Sequence, residues 1–86
     1  MNTAFLLMAQ YNAQAIIPID AVARDYFGLT KEQLVRKINA GDVRLPMVRM
    51  EPESQKAAKG VHLQDLAAYL DERAEAARRE CRQLND

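Results

Sequence analysis

The sequence predicts a mainly helical fold with one small β-hairpin, arranged as a winged helix-turn-helix followed by a helix that pairs two subunits. Three observations carry this expectation. Two short helical patterns, residues 19–27 and 31–40, flank a tight turn at Gly28; a proline-marked basic strand pair follows over residues 42–63; and apolar residues then recur at heptad spacing as far as Leu84. At 86 residues, about half of them hydrophobic, the chain suits one domain (1–86) with a small core that a subunit interface would supplement.

The elements are expected in this order. Asn2 and Thr3 suit the cap of a first helix ending near Tyr11, whose apolar run Phe5-Leu6-Leu7-Met8 is expected in the core. Residues 15–19 are apolar, β-branched and broken by Pro18, which reads as an extended connector and completes an N-terminal unit of residues 1–18. The helix-turn-helix unit spans 19–41. Its first helix places Ile19, Val22, Ala23, Tyr26 and Phe27 at helical spacing, with Gly28 free to turn left-handed just past the end. Thr30-Lys31-Glu32-Gln33 then matches a capping box that opens the second helix, and Gly41 closes it.

On a 100° wheel Leu34, Val35 and Ile38 face the preceding helix, while Gln33, Arg36 and Ala40, flanked by Glu32 and Lys37, face outward. Arginine suits guanine, glutamine suits adenine, and a small alanine allows close approach to a base edge. Gln33, Arg36, Lys37 and Ala40 are therefore the candidates for reading a major groove. The bland alternative is an ordinary solvated face. The wing, 42–63, pairs a strand-like run from Asp42 to Met50 with residues 60–63, across a long polar tip expected to be mobile without ligand. Thr30, Lys31, Arg44, Arg49, Lys56, Lys59 and His62 are the candidates for phosphate or minor-groove contact, with a solubilising loop as the alternative for the tip lysines. His62, the sole histidine, equally suits a cap for the following helix.

Residues 64–86 form the last unit, a helix expected to reach the vicinity of Arg82. Leu63, Ala67, Leu70, Ala74, Ala77, Cys81 and Leu84 follow an a/d seam, of which Leu70, Ala74, Ala77, Cys81 and Leu84 are the candidate homodimer contacts. A frayed amphipathic tail is the alternative.

Zero net charge at first argues against nucleic acid, but the charges are unevenly spread. Residues 24–62 hold eight cations against five anions, and residues 63–86 hold four against six. The basic surplus thus falls on the helix-turn-helix and wing. There is no Ser/His/Asp set, glycine-rich phosphate loop or paired carboxylate in an apolar setting, so an enzyme is not expected. No cofactor or metal is expected either, because Cys81 and His62 are the sole cysteine and histidine and no cluster of further ligands accompanies them. The apolar run at residues 5–8 is too short for a membrane span and has no basic residue before it, so the chain is expected in the cytoplasm.

The order of helix, capped second helix, Gly41-Asp42 turn, strand Leu45-Pro46-Met47-Val48-Arg49 and segment Val61-His62-Leu63-Gln64-Asp65-Leu66-Ala67-Ala68-Tyr69-Leu70 resembles the MerR and excisionase type of winged helix. Within that class the chain is most similar to the pyocin activator protein family. The likeness runs nearly full length. It is carried by Met1-Asn2-Thr3-Ala4-Phe5-Leu6-Leu7-Met8-Ala9-Gln10-Tyr11, by Arg24-Asp25-Tyr26-Phe27 and by Lys59-Gly60-Val61-His62-Leu63-Gln64-Asp65-Leu66-Ala67. The resemblance implies a transcription activator of bacteriocin or prophage-type genes that binds a promoter element in double-stranded DNA, with RNA polymerase as a candidate partner. Two other readings stay open: an excisionase-like architectural protein that bends DNA, and a phage-encoded inhibitor that uses the winged-helix surface to bind a host protein.

Overall fold

A computed structural model describes residues 2–54 and 56–85; Met1, Gln55 within the expected hairpin tip, and Asp86 lie outside the described residues. Helix α1 spans Thr3–Gln10, capped by Asn2, whose side chain accepts the Phe5 N–H at 2.9 Å. Its expected core role is only partly met. Leu7 is buried and Ala4 packs against the core, but Phe5 (61% exposed), Leu6 (54%) and Met8 (40%) face outward. An eight-residue helix lying on one neighbour buries one stripe, and positions one residue either side of Leu7 are rotated about 100° away from it.

The chain leaves α1 through Asn12 (φ 57°) and Ala13 (φ 60°), both left-handed, and the Ala13 N–H bonds to the Met8 carbonyl at 2.7 Å. Residues 16–18 are then not a mere connector. Strand β1, Ile16–Pro18, pairs antiparallel with the last strand, so the expected two-stranded hairpin is one side of a three-stranded sheet. Pro18 sits at the strand end and β1 is an edge, where a missing N–H disrupts no ladder.

Helix α2, Ile19–Val22, runs on through a π-helical turn at Ala23–Phe27. The Gly28 and Leu29 N–H groups both return to the Ala23 carbonyl, with Gly28 left-handed at φ 63°. A polar chain ties this turn to α1. Tyr26 donates to Gln10 (2.6 Å), Gln10 to Tyr11 (3.3 Å), and Tyr11 to Asp25 (2.7 Å), whose other oxygen accepts from Arg24 at 3.0 Å. Burial and this bond to a carboxylate push the Tyr11 phenol well above its ordinary 10.0.

Helix α3, Lys31–Asn39, ends at Gly41 (φ 81°). The expected strand over residues 42–50 shrinks to β2, Val48–Arg49. Val43 and Leu45 are buried from irregular backbone, and Pro46 has no N–H to give a ladder. Strand β3, Lys59–His62, is the middle strand, in order β1-β3-β2. Gly60 pairs with Pro18 on one side and Val48 on the other, and a Cβ there would stand 2.6 Å from both Ile16 Cγ2 and the Ile17 carbonyl oxygen.

Helix α4, Leu63–Leu84, takes His62 as its cap, with His62 Nδ1 accepting the Gln64 N–H at 3.1 Å. Leu7, Ile17, Val22, Leu34, Val61 and Leu66 are fully buried and bring α1, the sheet, α2, α3 and α4 onto one core. Of the seam, Leu63 and Ala67 belong to that core and Leu70 packs half-buried against it; Ala74, Ala77, Cys81 and Leu84 are exposed. A 22-residue helix is about 33 Å long, which stretches the molecule to 50 Å on its longest axis. No helix among the described residues is long and apolar enough to cross a membrane.

Candidate nucleic-acid interface

Position on α3 follows from two local devices. The Thr30 hydroxyl accepts the Gln33 N–H at 3.2 Å, and the Gln33 side-chain carbonyl accepts the Thr30 N–H at 3.0 Å, so both bonds of the capping box are made. Leu34, fully buried, then fixes the helix rotation, with Val35 and Ile38 half-buried beside it. Lys31, Gln33, Arg36, Lys37 and Ala40 are consequently exposed. The cap has a consequence for Gln33: its carbonyl is engaged, so only its amide NH₂ remains for a ligand, whereas bidentate contact to adenine uses both groups.

Leu29, Gln33, Arg36, Lys37, Ala40 and Asp42 line a shallow depression of about 370 Å³ on the outer face of α3. A larger cleft, about 750 Å³, separates α3 from the β2–β3 loop. Lys31 and Arg36 border it from the helix, Lys56 from the loop and Lys59 from the start of β3, with Asp20 and Glu32 as the carboxylates on its rim. Arg36 therefore borders both concavities. Four cations against two anions make the cleft a local basic surface on a neutral chain.

Strand β2 is tied to α3 by a contact that periodicity does not reveal. Arg49 on β2 donates from Nη2 to the Asn39 side-chain oxygen at the end of α3, at 3.1 Å. Arg49, Asn39, Val35 and Lys59 also share a smaller hollow of about 360 Å³. Asn39 was missed because a polar residue on the last turn of a helix has no signal beyond a solvated face. The remaining candidates divide. Arg44 is exposed between buried Val43 and Leu45 and does not line the cleft, while His62 is half-buried and engaged as the α4 cap.

The mainly helical chain with a small three-stranded antiparallel sheet is compatible with a winged helix. The chain belongs to the family described as pyocin activator protein PrtN, which it matches over residues 3–77. That family points to a transcriptional activator, a regulatory protein rather than an enzyme, with DNA or the transcription machinery as its class of partner. No curated protein and no solved structure matches the chain.

Proposed function

We propose that the chain is a homodimeric, sequence-specific DNA-binding activator of pyocin or prophage-type genes, with a winged helix-turn-helix as its reading head. Helix α3 enters the major groove of a promoter element and the β2–β3 loop acts as the wing on the flanking backbone. One observation carries this reading: cations from separate elements, Lys31 and Arg36 on α3, Lys56 on the loop and Lys59 at the start of β3, border one open cleft. Such a cleft accepts a phosphate ridge, while the adjoining face presents Arg36, Lys37 and Ala40 to base edges. Membership of the pyocin activator family supports the activating role.

In this reading Arg36 is the principal base reader, because its fork is free of the capping bond that engages Gln33. Lys37 and Ala40 flank it; Thr30, Lys31, Arg44, Arg49, Lys56 and Lys59 serve the backbone. The exposed part of α4 pairs two copies, so that two half-sites are read together. Selection of bound duplexes from a random library tests the proposal. The expected result is an enriched, two-fold related motif; retention of no sequence over another, at any salt, would refute sequence-specific reading.

A further inference from the structure

Two apolar surfaces on this chain lack a cover among the described residues, and about 20 Å of α4 separates them at 1.5 Å per residue. One is the outer face of α1, with Phe5 61% and Leu6 54% exposed; the other is the end of α4, with Leu84 86% exposed. Helix α1 lies antiparallel on α4. Thr3, at its start, donates to Asp71, and the chain that follows its end brings the Ala15 carbonyl to the Leu63 N–H at 2.9 Å.

The charges on α4 beyond the core are ordered. Residues 71–75 carry Asp71, Glu72 and Glu75 with one cation, Arg73; residues 78–82 carry Arg78, Arg79 and Arg82 with one anion, Glu80. On the heptad Asp71 and Arg78 occupy one flank of the seam, and Arg73 and Glu80 the other. A parallel pair would set Arg73 of each copy against Arg78 of the other. An antiparallel pair sets Asp71 beside Arg78 and Arg73 beside Glu80, twice each.

Resting on the reading of the chain as a homodimer, we infer that α4 packs antiparallel on the α4 of a second copy, with Ala74 opposite the partner's Ala77 and Leu84 seated on the partner's Phe5 and Leu6. The register that pairs the charges is the one that pairs the apolar surfaces. With Ala74 opposite Ala77, Leu70 meets Cys81, and Leu84 reaches the level of Ala67. There α4 is already covered by its own α1, so Leu84 meets the outer face of α1 instead. Alanines at the centre allow the two backbones a close approach. Arg78 is bound to Glu75 at 3.2 Å within its own helix, yet a guanidinium has five donors and can take a second carboxylate. The two Cys81 thiols lie about 16 Å apart along the axis at 1.5 Å per residue, too far for a disulfide.

Sedimentation equilibrium on the full chain without DNA is the test. R73E places like charges together twice, so the dimer should dissociate about tenfold more readily, as should E80R. An equimolar mixture of the two should recover the wild-type affinity, because every Arg–Glu contact is restored across a mixed dimer. F5S should also weaken the dimer while leaving the far-ultraviolet circular dichroism unchanged. A tighter R73E dimer would show parallel helices and overturn the inference, as would a mixture no better than its components, or a wild-type chain monomeric at its highest soluble concentration. Duplex retardation, scored separately, tells the two readings apart: its failure removes the DNA reading and leaves the dimer, and a monomer that still retards duplex does the reverse.

Discussion

Arg36 and Lys56 border the same cleft but are predicted to fail differently. Arg36→Ala should lose about 1–3 kcal/mol of preference for a selected duplex over a random one. Lys56→Ala should weaken both duplexes equally and reduce the slope of log affinity against log salt by about 1. Fluorescence anisotropy across a salt series reads both. A second prediction concerns Tyr11, whose phenol is raised by burial and then by its bond to Asp25. A raised folded value means that its stabilising contribution is complete below pH 10, the ordinary value, and is lost as pH climbs past it. Asp25, held below its ordinary 3.8 by Arg24 and then by Tyr11, acts oppositely: its contribution is present above that value and lost as pH falls below it. Melting curves from pH 8 to 11 should therefore fall more steeply for the wild type than for Tyr11→Phe; equal slopes would contradict the assignment.

At the scale of elements, what was legible in the sequence was whatever local chemistry decides. The Thr30–Gln33 box, the left-handed stop at Gly28, the exposed face of α3 and the His62 cap each depend on residues within one turn of each other. What stayed hidden depends on distant partners. Strand β1 exists because β3 offers an edge 44 residues later, as Ile17 pairs with Val61. The Arg49–Asn39 tie and the Tyr11–Asp25 network have no periodic signature, and the apolar run at residues 5–8 did not disclose that one helix could bury only Leu7 from it. Two backbone predictions belong here. Ala13→Gly, relieving a left-handed alanine at φ 60°, should stabilise the fold by about 1 kcal/mol. Gly60→Ala, whose Cβ would press on Ile16 and Ile17, should cost about 1–3 kcal/mol. Urea unfolding measures both.

For the whole molecule, zero net charge was the least informative number in the sequence. The fold separates its parts: cations from α3, the β2–β3 loop and the start of β3 gather at the cleft, while α4, which does not line it, carries an ordered run of both signs. This division lets the two ends be tested apart. Truncation after Ala74 leaves the core residues through Ala67 in place and removes the exposed Ala77, Cys81 and Leu84, so the product should fold, sediment as a monomer and bind duplex more weakly. A truncated chain that still sediments as a dimer would move the interface elsewhere.

Sequence reading by the outer face of α3 is open to one decisive comparison. It sets the wild type against Arg36→Ala/Lys37→Ala on the duplex that the wild type selects and on a random duplex of equal length, in one salt. The variant, folded as judged by circular dichroism, should bind both weakly and with no preference between them. Unchanged affinity for the selected duplex would contradict sequence reading by α3.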